Sequence, residues 1–127
     1  VVANEKKNIL IIDDDARNIF ALSLVLRSRG YAVLSATSAG DGIAMLRTNK
    51  SISIMLLDMM MPDMDGYQAL ALIRNDETLK DFPVIAVTAQ AMQGDREKCL
   101  EAGATNYISK PIDMDKLQAI LVQYVQE

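Results

Sequence analysis

Three aspartates, a threonine and a lysine stand where short apolar runs of this chain end. Asp13 and Asp14 close "NILII", Asp58 closes "SIMLLD", Thr88 closes "PVIAVT", and Lys110 follows "NYIS". Carboxylates gathered in one place repel one another: two unit charges 4 Å apart do so by about 4 kcal/mol at an effective dielectric near 20. A fold tolerates three only if a cation or protons relieve them. The chain has no histidine and one cysteine. A soft-metal site is therefore disfavoured. An all-oxygen set with few protein ligands suits Mg²⁺, which keeps several waters and accepts phosphate oxygens as ligands. Lys110 adds a fixed positive charge for an anion. The set reads as acids for a metal, an ammonium and a hydroxyl for a phosphoryl group, and one carboxylate free to attack.

Each residue alone has a plainer reading. An acid pair after a strand is often a helix cap with first-turn charge. Asp58 before "MMMPDMDG" could be turn chemistry, since Pro62, Asp63 and Gly66 are turn residues. Thr88 could be only a strand residue and Lys110 only a surface lysine. Their joint occurrence at strand ends is what argues for a site.

Five apolar runs alternate with amphipathic segments. Strands are expected at 8–12, 32–37, 53–58, 83–88 and 106–109, the second being the most alternating and so a candidate edge. Helices are expected within 15–30, 39–49, 65–76, 93–103 and 113–126. In the first, Ile19, Phe20, Leu22, Val25 and Leu26 have helical spacing; in the third, Leu70, Leu72 and Ile73 form the apolar side. Gly30 and Gly103 are expected to close helices and Asp113 to open the last, whose stripe runs through 114, 117, 120, 121, 124 and 125. Such alternation predicts an α/β fold, a parallel sheet with helices on both faces. In such sheets ligands bind beyond the carboxyl ends of the strands. The 127 residues suit a single domain, with 1–7 a disordered lead-in. The opening Val-Val-Ala-Asn hints at a piece of something longer, or at processing.

Composition narrows the function further. A net charge of -4 gives no electrostatic case for nucleic acid. No apolar run reaches membrane-span length, so no membrane contact is expected. The lone Cys99 forbids an internal disulfide and fits a reducing cytoplasm. Its place on an amphipathic helix predicts burial. The absence of histidine excludes a Ser-His-Asp triad and a phosphohistidine made within the chain. Met59, Met60 and Met61 suggest loop packing ahead of an adaptable surface.

The blocks "ILIIDDD", "LLDMMMPDMDG", "VIAVTA" and "YISKPID" resemble, in order and spacing, the signature blocks of response-regulator receiver domains of two-component systems. The resemblance covers residues 8–126. "RNIFAL" and "AMQGDREKCLEAGATNYISKPID" are most similar to receivers of hybrid histidine kinases. The resemblance implies a flavodoxin-like fold with strand order 2-1-3-4-5 and a phosphorelay function: phosphate passes from a phosphohistidine to Asp58 with Mg²⁺, and the domain switches conformation. It implies that the domain promotes its own aspartyl phosphorylation and dephosphorylation, within a parent that is a hybrid kinase. By the same resemblance Asp13, Asp14 and Asp58 hold the metal with the backbone carbonyl of Met60. Thr88 and Lys110 meet the phosphoryl group, Thr88 and Tyr107 form the switch, and Lys110-Pro111 is a cis peptide. Asp15 is left a helix-start role. Ala89 leaves the site open, and the apolar Met60 side chain points to slow hydrolysis, with Gln90 a further water contact. The implied partner is a histidine kinase or histidine phosphotransfer domain, docking near Ala16, Asn18, Ile19 and Leu22.

Two other functions fit less well. A phosphorylation-independent interaction module has no need of the intact acid set. An aspartate-based phosphotransferase or phosphatase commonly places a second acid two residues after its nucleophile, where this chain has Met60.

Overall fold

The computed structural model describes residues 8–61, 64–89 and 94–125. The expected lead-in, the turn residues Pro62 and Asp63, and Gln90 lie outside the described residues. Ten elements alternate along the chain: β1 (Asn8–Ile12), α1 (Ala16–Ser28), β2 (Ala32–Ala36), α2 (Ala39–Thr48), β3 (Ile52–Asp58), α3 (Gly66–Arg74), β4 (Val84–Thr88), α4 (Asp95–Glu101), β5 (Asn106–Ser109) and α5 (Met114–Leu121). The strands form one parallel sheet in the order β2-β1-β3-β4-β5. β2, the most alternating strand, is indeed an edge.

The central strands are apolar on both faces because each face meets a separate core. Successive side chains point to opposite sides of a strand. Thus Ile9, Ile11, Ile54, Leu56, Ile85 and Val87 pack with Leu26 of α1 and Leu117 and Leu121 of α5. Their neighbours Leu10, Ile12, Met55, Leu57, Val84 and Ala86 pack with Ile43 of α2, Ile73 of α3 and Cys99 of α4. Burying a side chain of the leucine or isoleucine class contributes about 1.5–3 kcal/mol, so this two-sided core carries most of the stability.

The helices begin where polar side chains satisfy their first N–H groups. Asp15, Ser38, Asp65 and Asp113 each accept from a backbone N–H of the helix they open, and Asp65 and Gln68 form a reciprocal capping box. Gly30 and Gly103, just past α1 and α4, have φ of +97° and +115°, a conformation that glycine adopts without a Cβ penalty. Two apolar expectations fail. Phe20 is 68% exposed and Leu72 48% exposed. The last helix also stops at Leu121 and gives way to a turn over 122–124, yet Tyr124 and Val125 still pack on the α1/α5 core.

Candidate functional site

The parallel register builds the site. Ile12 pairs with Leu57, so Asp13 and Asp58 leave adjacent strands at the same level. Asp58 pairs with Val87, and Thr88 with Ser109, which brings Thr88 and Lys110 to the same edge. Asp13, Asp58 and Thr88 are buried and Asp14 is exposed. One carboxylate oxygen from each of Asp13, Asp14 and Asp58 lies within 4.8 Å of the others. Asp58 is only 5% exposed, because β3 lies at the centre of the sheet.

Each acid is held by the backbone that follows it. Asp13 Oδ1 accepts from the N–H of Asp15 at 2.9 Å, and Asp58 Oδ1 accepts from the N–H of Met60 at 3.0 Å. Lys110 Nζ lies 3.5 Å from Asp13 Oδ2 and 3.9 Å from Asp58 Oδ2. Asn18 Nδ2 donates to the same Asp13 oxygen at 3.5 Å. Burial pushes the Asp58 carboxyl above the usual range; the Met60 N–H and Lys110 pull against this, while Asp13 and Asp14 add to it. One ammonium among three carboxylates leaves the cluster short of positive charge. The donors are hard oxygens without sulfur or imidazole, which fits a small divalent cation of the Mg²⁺ type.

The other expected residues are placed as follows. Asp15 caps α1 and pairs with Arg17, which holds its carboxyl below the usual range. Met59 and Met61 are buried, whereas Met60 is 61% exposed at the mouth. Thr88 is fixed by its own carbonyl, which accepts from the N–H of Lys110 at 2.7 Å. Ala89 is exposed and the Lys110-Pro111 peptide is cis. Tyr107 is half-buried against the α2/α3 core, and burial raises its hydroxyl pKa, with Asp95 and Cys99 adding. Cys99 is buried as expected. It shares a hydrogen bond with the Tyr67 hydroxyl, itself pushed up to about 12 chiefly by burial. Ile19 and Leu22 are partly buried on the α1/α5 core.

The sequence matches the model of the response regulator receiver domain over residues 9–122. This chain belongs to that family. Receiver domains are the phosphoryl acceptors of two-component signalling, and this one has their acidic pocket. It is 35% identical over 109 residues to protein PilH of Pseudomonas aeruginosa, across 86% of this chain and 89% of that protein. It is 36% identical to sensor histidine kinase RcsC of Salmonella typhi, across 98% of this chain but only 13% of the kinase. A response regulator receiver protein from Pseudomonas putida has a similar structure, with a TM-score of 0.84 at 27% identity over 93% of this chain and 97% of that one. The receiver domain of sensor histidine kinase PA1611 from Pseudomonas aeruginosa is similar at a TM-score of 0.78 and 36% identity, over 94% and 97% of the two chains. Its structure has a magnesium ion coordinated in the active-site cleft. No helix among the described residues of the receiver is long and apolar enough to cross a membrane.

The sequence reading missed Arg74. Its guanidinium donates to the carbonyls of Gly103 and Phe82 at 2.8 Å, Lys80 at 3.1 Å and Leu79 at 3.4 Å. It ties the loops before β4 and β5 together at the end of the sheet opposite the acids. An arginine in the last turn of a helix looks like an ordinary surface cation, and no local pattern distinguishes this one.

Proposed function

We propose that Asp58 takes a phosphoryl group from a phosphohistidine on another domain or chain. The observation that carries this reading is the setting of its carboxylate. Oδ1 is held by the Met60 N–H, and Oδ2 is turned toward Lys110 within the acid cluster. In the transfer Oδ2 forms the new P–O bond as the P–N bond breaks, and the electron pair of that bond returns to the donor imidazole. Asp58 needs no general base because its attacking form is the carboxylate. Phosphoryl transfer asks mainly for positioning and charge neutralisation. Lys110 turns from Asp13 and Asp58 to a phosphoryl oxygen, and the Thr88 hydroxyl donates to another. Mg²⁺ held by Asp13, Asp14, Asp58 and the Met60 carbonyl supplies the charge that offsets the carboxylates and the incoming phosphoryl oxygens.

Thr88 moving toward the phosphoryl group, with Tyr107 following, is the proposed switch, read out on α4, β5 and α5. The donor is a helical histidine-bearing domain that docks at the α1 rim. Phe20 and Leu24, exposed one turn apart, offer it the apolar contact first expected from Ile19 and Leu22. The receiver works on the cytoplasmic side, where such donors meet it. Incubation with Mg²⁺ and a small phosphodonor, followed by mass spectrometry, tests the reading. One phosphoryl group on Asp58 that is lost in Asp58→Asn is the expected result. Equal labelling of that variant at a residue also used by the wild type refutes it.

A further inference from the structure

Beside the acid cluster, on the α1/α5 face of the sheet, lies a partly open cavity of about 550 Å³. That is the size of a small-molecule site, commonly 300–1,000 Å³. Its floor is Ile11, Leu56 and Val87, and Leu22 of α1 and Ile112 beyond β5 wall it. An apolar space of this kind offers water few hydrogen-bonding partners. Its polar end is formed by Asp13, Asp58 and Lys110. That end holds two carboxylates against one ammonium, and the exposed Asp14 lies within 4.8 Å of both acids.

We infer that the cavity binds a primary organic amine with an apolar tail of roughly six carbons. The tail lies on Ile11, Leu56 and Val87, and the ammonium joins that of Lys110 at the carboxylates of Asp13 and Asp58. Charge selects the head group. An anion meets a net negative end, and a neutral head leaves the excess carboxylate charge unrelieved. A cation instead makes charge-assisted hydrogen bonds. The inference rests on the phosphoacceptor reading in one respect: the amine shares its carboxylates with Mg²⁺, so an occupied cavity delays phosphorylation of Asp58.

The test is methyl NMR of the whole chain titrated with n-hexylamine, with n-hexanol and hexanoate as matched probes. Hexylamine is expected to move the methyl signals of Ile11, Leu22, Leu56 and Val87 at concentrations roughly tenfold below hexanol, and added Mg²⁺ to weaken it. Ala21→Phe extends a ring into the cavity from α1, where Ala21 lines it. It is expected to weaken hexylamine about tenfold and leave Mg²⁺ affinity unchanged. Hexylamine and hexanol binding alike, or hexylamine binding without moving those methyl signals, overturns the inference, and both results come from the wild-type chain. Mg²⁺ shifts at Asp13, Asp14 and Asp58 without amine binding sink this inference alone. Amine binding without Mg²⁺ shifts there sinks the phosphoacceptor reading alone.

Discussion

Replacing Asp58 with Asn removes one charge from the most crowded part of the molecule, and the geometry sets the size of the effect. Asp13 and Asp14 each have an oxygen within 4.8 Å of one from Asp58, so each repels it by about 3.5 kcal/mol or more at an effective dielectric of 20. Lys110, 3.9 Å away, attracts it by about 4 kcal/mol on the same scale. Repulsion exceeds attraction by about 3 kcal/mol, and the burial of Asp58 works in the same direction. Asp14 is exposed, so solvent screens part of its share. Asp58→Asn keeps an oxygen for the Met60 N–H and gains an amide donor for its acidic neighbours. It is expected to stabilise the domain by about 1–3 kcal/mol without divalent ions. Urea unfolding in EDTA and again in excess MgCl₂ measures this. The gap should narrow in MgCl₂, since the wild type gains more from the ion. The pH dependence follows from the raised Asp58 pKa. The folded chain holds this proton more tightly than the unfolded chain, so the associated stability is fully present below the ordinary carboxyl value of 3.8 and is lost as pH rises through the folded pKa. The variant should therefore gain most near neutrality and least in acid. A variant less stable than the wild type in EDTA at neutral pH, or a gain that grows toward low pH, refutes the reasoning.

Three further substitutions probe the frame around the site. Gly66→Ala puts a Cβ 2.7 Å from Met59 Cα and 2.2 Å from its sulfur; because Met59 follows Asp58, it should cost about 1–3 kcal/mol in urea unfolding and slow labelling by a small phosphodonor. Arg74→Met strips the donor from four carbonyls and should cost about 3 kcal/mol, with faster hydrogen exchange at the Thr105 amide that bonds Val84. Phe20→Asp on the exposed face of α1 should change stability by less than about 0.5 kcal/mol. It should slow transfer from a histidine-bearing donor by about tenfold while labelling by a small phosphodonor is unchanged; equal loss with both donors would mean damage to the site itself.

The parallel sheet was legible because its physics is local. An apolar run of five residues that ends in a polar side chain needs both faces covered, and alternating helices supply the cover. The polar strand ends were legible for the same reason. Which helical residues touch the sheet was less so. Successive residues are 100° apart around a helix, so Ile19 and Phe20 cannot face the same strand, nor can Leu72 and Ile73. The apolar stripes of α1 and α3 are wider than their contacts, and the roll of each helix decides which flank is left out. On α1 that is Phe20 and Leu24, on α3 Leu72. Arg74 and the cavity beside Lys110 were out of reach because both depend on several chain segments meeting in space.

The run Met59-Met60-Met61 joins these two levels. The in–out alternation of β3 continues past the strand end, so Met59 and Met61 point into the α2/α3 core and Met60 points out. The two buried side chains anchor the loop, and Gly66 leaves the space that Met59 occupies. That anchoring aims the Met60 N–H at Asp58 Oδ1 and leaves Oδ2 toward Lys110. Replacing Met61 with Ala would remove one anchor without touching the acids. Its cost should be about 2–5 kcal/mol if the core cannot close over the gap, and the backbone N–H of Met60 should lose protection from exchange. If instead the core loses stability while that N–H stays protected, the strand end alone positions Asp58 and the methionines serve only packing.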